Sequence, residues 1–141
     1  MGCDIHLHIE IKLNGKWEHL GNPNIDRNYR LFAKMAGVRN YNNVVPISDP
    51  KGLPEDMSVL TKLDADYWKA DKHSDSWLGK EEIVEMSAFL DGLNTEKERY
   101  DLEWNVLHCY LFGNSFAGLA KYPEENQKGV TDVRFVFWFD N

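Results

Sequence analysis

Residues 3–13 alternate strictly, and no other stretch restricts the fold of this chain as much. Cys3, Ile5, Leu7, Ile9, Ile11 and Leu13 fall on one parity, and Asp4, His6, His8, Glu10 and Lys12 on the other. Successive side chains of a strand point to opposite faces, so this pattern predicts a strand with one face buried. Asn14-Gly15 follows directly. Both residues tolerate positive φ, which a two-residue hairpin turn demands, so the chain is expected to double back over 16–20. In that register Lys12 faces Trp17 and Glu10 faces His19. The polar face of the hairpin then collects Asp4, His6, His8, Glu10, Trp17 and His19, while Glu18 shares the apolar face with Ile11.

Asn22-Pro23-Asn24 ends the hairpin. Asp26 is expected to cap a helix over 27–36, with Gly37 as its stop. Residues 38–58 hold Pro46, Pro50, Gly52 and Pro54 and read as an ordered, irregular loop that packs through Val44, Val45, Ile47 and Leu53. A short helix is expected through 60–68, then a polar turn over 71–77. The next helix, over 80–93, is marked by Ile83, Met86, Phe89, Leu90 and Leu93, with Glu81 and Glu82 at its N-terminus. Thr95-Glu96-Lys97-Glu98 is a capping box. It opens a helix with an apolar stripe of Tyr100, Trp104, Leu107 and Leu111, ended by Gly113. A polar loop with Pro123 follows. In 133–139, Phe135, Phe137 and Phe139 alternate with Arg134, Val136 and Trp138, the mark of a second strand.

The fold class is therefore α+β: an antiparallel sheet from both chain ends, opened by an N-terminal β-hairpin, its apolar face covered by helices from the middle. If the first and last strands are neighbours, Arg134 and Asp140 join the histidine-bearing face. A chain of 141 residues, 43% hydrophobic, with five Trp, six Tyr and seven Phe, has material for one core; halves would be too small, so a single domain over 1–141 is expected.

Sixteen Lys and Arg stand against 23 Asp and Glu, a net charge of -7. A surface that coats extended nucleic acid needs the opposite sign. One small basic pocket for a phosphate is still compatible. No apolar run approaches the roughly 18 residues of a membrane span. The start lacks the basic and apolar regions of a signal peptide, and His6 stands where a myristoylation motif wants Ser or Thr. Cys3 and Cys109 are the only cysteines, too few and too far apart for a disulfide framework or a CxxC site. Two reduced, buried thiols in a cytoplasm are expected, with one long-range bridge as the alternative.

Three constellations carry chemistry. In Asp4-Ile5-His6-Leu7-His8-Ile9-Glu10, alternate side chains lie about 6.5–7 Å apart on one face, so two imidazoles can converge on one ion with carboxylates beside them. That donor set suits Zn or Mn. The alternative is a plain solvated face. In Asp71-Lys72-His73-Ser74-Asp75-Ser76-Trp77, a turn before a helix offers His73 as a further ligand and Asp75 as a base, or else ordinary turn and cap residues. The third is cationic: Arg27, Arg30, Arg39, Lys51 and Arg134. Arginine forks suit phosphate. Arg39 and Lys51 are expected to meet across the proline-rich loop, unless each merely pairs with a surface carboxylate. His108 and Cys109, neighbours on a helix, point about 100° apart and make no dyad.

The start Met1-Gly2-Cys3-Asp4-Ile5-His6-Leu7-His8-Ile9-Glu10, Arg27-Asn28-Tyr29 with Leu31-Phe32, Gly52-Leu53-Pro54, His73-Ser74 with Ser76-Trp77-Leu78, and the terminal Val136-Phe137-Trp138-Phe139-Asp140-Asn141 resemble a family of small uncharacterised proteins carried by bacteriophages and prophages. The resemblance runs through nearly the whole chain. It implies a phage accessory protein in the cytoplasm of a bacterial host, and no particular activity. Asp-x-His-x-His on a first strand also resembles the opening of several metallohydrolase families, which implies metal ligation only for Asp4, His6 and His8.

Two functions follow as expectations. One is a metal-dependent hydrolase of a phosphoester or nucleotide. Asp4, His6 and His8, with His73 or Asp71, hold a divalent ion, Asp75 or Glu10 is the base, and Arg27 or Arg39 stabilises phosphate charge. The other is a non-catalytic protein, acting against host defence, that sequesters a nucleotide immune signal. Arg27, Arg39 and Lys51 take the phosphates and Trp17, Trp77 or Tyr29 stacks the base. Either fits a monomer or an oligomer, without a membrane. Mimicry of DNA by an acidic surface is a third reading, for which -7 is a mild charge.

Overall fold

A computed structural model of the protein describes residues 2–91 and 130–141. The chain runs β1 (Asp4–Leu13), β2 (Lys16–Gly21), α1 (Tyr29–Ala36), α2 (Val59–Tyr67), β3 (Lys72–Gly79), α3 (Lys80–Asp91) and β4 (Val130–Asp140). The four strands form one open antiparallel sheet in the order β2-β1-β4-β3.

The turn between β1 and β2 follows from its two residues. Asn14 and Gly15 have φ of 52° and 82°, as a type I′ turn requires. Glu10 then faces His19, Ile11 faces Glu18 and Lys12 faces Trp17, as the two-residue loop predicts. β4 lies on the other side of β1. Ile5 pairs with Phe139, Leu7 with Phe137, Ile9 with Phe135 and Ile11 with Val133. Side chains of this parity make the apolar face. Leu31, Phe32 and Met35 of α1 and Ile83 and Met86 of α3 close over it, each fully buried. Apolar burial on this scale contributes about 1.5–3 kcal/mol per large side chain and dominates the stability.

The opposite face is covered as well. His6 pairs with Trp138, His8 with Val136 and Glu10 with Arg134. α2 lies across them through Thr61, Asp64 and Ala65, and Trp138 and Val136 are wholly buried. The sheet is thus sandwiched between helices. The polar parity of β1 faces a helix where an amphipathic strand would ordinarily face water.

Two local expectations are corrected. The cap of the first helix is Asn28, not Asp26. Asn28 is extended (φ -144°, ψ 100°) and its Oδ1 accepts the amides of Arg30 and Leu31. The helix therefore starts at Tyr29, which leaves Arg27 outside it to reach Asp4. Gly37 closes the helix at φ 72°, donating its N–H to the Ala33 carbonyl. The polar stretch over 71–77 is not a turn before a helix. It forms most of β3, an edge strand on β4. Its register with β4 shifts by one residue between His73 and Ser76, where Ser74 has φ 55°. Pairing with an apolar central strand overrides the turn-like composition, and the bulge absorbs the misfit. The helix expected after Thr95, together with Cys109, lies outside the described residues. Among the described residues no helix is long and apolar enough to cross a membrane.

Candidate functional site

The polar parity of β1 divides into an interlocked centre and an open end. At the centre, Glu10 is fully buried. Its Oε2 accepts the Ser58 amide at 2.8 Å and the Thr61 hydroxyl at 2.7 Å, and its Oε1 accepts Arg134 Nε at 2.8 Å. Arg134 also donates to Asp56, and its guanidinium lies 3.9 Å from the centre of the Trp17 ring. Burial pushes the Glu10 carboxyl up, but donors from Ser58, Thr61 and Arg134 outweigh it and hold it below its ordinary value. A carboxylate with this many partners ties the entry of α2 to the sheet.

His8, 3% exposed, also lies under α2. Its Nε2 contacts Asp64 Oδ2 at 2.7 Å and its Nδ1 contacts His19 Nε2 at 2.9 Å. The ring stacks on Trp138, 5.3 Å between centroids. Burial, then the neighbouring His8, push the His19 imidazole below its ordinary value.

The open end is a cleft of about 990 Å³ where β1 begins and β4 ends. Asp4, His6, Arg27, Trp68 and Asp140 line it with the loop over 22–26. His6 Nε2 is hydrogen-bonded to Asp140, which leaves Nδ1 as the nitrogen for a ligand. The imidazole lies 4.3 Å from the Trp68 ring and 6.1 Å from Trp138. Arg27 grips Asp4 with two hydrogen bonds, 2.7 and 3.2 Å, and holds that carboxyl below its ordinary value. Gly2 makes room for this pair: a Cβ at position 2 would stand 1.8 Å from Arg27 Nη1.

The members of the expected ligand set, Asp4, His6, His8 and His73, each have partners of their own. Asp4 holds Arg27, His6 holds Asp140, and His8 lies between Asp64 and His19. His73 is exposed, hydrogen-bonded to Ser74 and Asn141. Among the described residues no group of three or more His, Cys, Asp or Glu is arranged to hold a metal ion. Asp75, expected as a base, pairs with Lys72 on its own strand.

The expected cationic pocket is divided too. Arg27 lines the cleft. Arg39, at φ 52°, donates to the Tyr41 hydroxyl and lies 5.5 Å from the Tyr29 ring. Lys51 pairs with Glu82 and covers Trp77 at 3.9 Å, so Arg39 and Lys51 have separate partners. Trp17 and Trp77, expected to stack a base, each carry a cation on the ring already. The indole on the cleft is that of Trp68, which is not among the residues expected to bind a ligand. Its only signal was its place at the end of a short helix above a histidine-rich strand. Cys3 is buried and free, and burial pushes its thiol up. No family model, no curated protein and no solved structure matches the chain.

Proposed function

We propose that the protein binds a nucleotide-like small molecule in the cleft at the end of the sheet, without transforming it. The observation that carries this reading is the convergence there of two flat rings, Trp68 and His6, with an arginine, Arg27. A base stacks on the indole, an arrangement worth about 1–3 kcal/mol. His6 Nδ1 offers a hydrogen bond, and Asn22, Asn24 and Asp26 supply polar groups for a ribose. Asp4, Asp26 and Asp140 surround the single arginine, so the cleft favours a nucleoside or a ligand with one phosphate charge over a triphosphate. A phosphate must also take Arg27 from Asp4. Sequestration of a nucleotide signal in a bacterial host cytoplasm is the role that fits a small phage protein of this kind.

One feature supports a second reading. Asp4 and Asp140 face each other in register, with His6 beside them. A divalent ion, Zn or Mn, would be held there only once Asp4 had released Arg27 and Asp140 had released His6, and a metal-dependent phosphoester hydrolase would then use it to activate water.

Calorimetric titration with nucleosides and with cyclic and linear mononucleotides, beside elemental analysis of untagged protein, separates the two. Binding by metal-free protein, lost by about tenfold or more in Trp68→Ala, supports the binder. Stoichiometric metal with hydrolysis supports the enzyme. No ligand for the wild type from the panel overturns the first reading.

A further inference from the structure

Helix α2 carries its large apolar side chains on the outside. Thr61 and Ala65 are buried against the sheet. At about 100° per residue, Val59, Leu63 and Tyr67 fall on the opposite side of the helix, with Leu60 beside them. These four side chains are 57–80% exposed and make up most of the large exposed apolar residues among the described ones. Apolar groups gathered in this way, rimmed by charge, mark a contact surface.

The two ends of the stripe differ. At the C-terminal end stands Tyr67, 80% exposed, its ring edge-on to Trp68 with 5.4 Å between centroids. At the N-terminal end Val59 and Leu60 form the rim of a pocket of about 470 Å³ between α2 and β2. Lys12, Lys16, Glu18 and Asp56 also line that pocket. With both signs of charge together, it suits a neutral group with a polar tip better than an ion, and a phenol is such a group. One flank of the stripe carries Lys62 and Asp66, a turn apart, 3.8 Å between charged atoms and both 64% exposed.

We propose that α2 is the contact of a two-fold symmetric homodimer, in which a second copy of this chain lies antiparallel against it. An axis near Leu63 puts Leu63 on its own copy and brings Tyr67 of each chain to the pocket rim of the other, at Val59 and Leu60. The phenol ring fills the pocket mouth, and its hydroxyl meets donors and acceptors among the mixed charges. The same rotation sets Lys62 against Asp66 of the second copy, twice over. Antiparallel helices turn like flanks toward each other, so a flank with one cation and one anion is complementary to itself. Such a flank has no net charge with which to select an acidic or a basic partner. Tyr67 and the pocket stand at opposite ends of one helix, and an antiparallel copy brings each to the other. The nine residues of α2 span about 13 Å, so the interface is small and the dimer reversible. This contact does not depend on what binds in the cleft at Trp68.

Sedimentation equilibrium of the full chain between about 1 and 500 μM reads the association directly. The expected result is a monomer–dimer equilibrium. Tyr67→Ala should weaken it about tenfold or more, as for an aromatic anchor lost from a pocket. Lys62→Asp sets carboxylate against carboxylate at both ends and should weaken it about threefold or more, and adding Asp66→Lys to that variant should restore it. All three positions are exposed, so urea unfolding of each variant should stay close to that of wild type and separate loss of contact from loss of fold. A chain monomeric over the whole range would overturn the proposal and leave the stripe to another part of this chain or to a different protein. A dimer that Tyr67→Ala and Lys62→Asp leave intact, or that the charge exchange fails to restore, would place the contact elsewhere and overturn it as well.

Discussion

Glu10 holds three parts of the chain with two oxygens: Arg134 of β4, Ser58 at the cap of α2 and Thr61 inside it. Glu10→Gln keeps the shape but leaves Arg134 with Asp56 as its remaining carboxylate, itself largely exposed. Breaking a buried pair typically costs about 3–5 kcal/mol, and the surviving Asp56 contact places this variant near 3 kcal/mol in urea denaturation. The pH dependence has a definite sign. The folded carboxyl lies below its ordinary value of 4.5, so its contribution is present above that pH and is lost as pH falls through the folded value. Wild type should lose stability below about pH 4.5, and Glu10→Gln should lose less over the same range. An acid limb of equal slope in both proteins would remove Glu10 from that role. Asp4 offers a test of the cleft. It neutralises Arg27, so Asp4→Asn should tighten the binding of a singly charged nucleotide, by about threefold to tenfold in calorimetry. Cys3, buried with its thiol pushed up, should resist a thiol reagent in the folded state and react only on unfolding.

At the scale of elements, α1 shows how a cap is chosen. Two residues ahead of the helix compete for its free amides, and Asn28 takes them while Asp26 stays exposed beside the cleft. Asn28→Ala should cost about 1 kcal/mol and Asp26→Ala almost nothing, measured by thermal or urea unfolding. Strands β1, β2 and β4 and helices α1–α3 were legible because each is a local pattern: alternation, a turn dipeptide, a helical stripe. The polar stretch of β3 was not, because Ser, Asp and His become a strand there only through the apolar neighbour they pair with. The candidate site divides along the same line. The gathering of Asp4, His6, His8, Glu10 and His19 on one face followed from parity, and Arg134 and Asp140 joined it once β1 and β4 were taken as neighbours. What parity could not give was the layer above. α2 brings Asp64, Thr61 and Trp68 onto that face, and all three of those contacts span more than fifty residues of sequence.

For the whole molecule, β4 is decisive because it is central. It joins β1 to β3 and supplies Phe135, Phe137 and Phe139 to one face and Arg134 and Trp138 to the other. A chain lacking residues 130–141 should therefore show no cooperative unfolding by circular dichroism, whereas removal of Asn141 alone should leave the transition in place. The order of the strands also sets a timetable for synthesis. The β1–β2 hairpin can close within about 1–10 μs of leaving the ribosome. Its other edge waits for β4, roughly 120 residues later, or about 6–24 s at ordinary elongation rates. An apolar strand left open that long would invite pairing with strands of other nascent chains. β1 meets the delay with Asp4, His6, His8 and Glu10 on every second position, charges and imidazoles that make a poor template for a stranger. The residues that furnish the folded protein with its polar interior thus also guard the unfinished one against its neighbours.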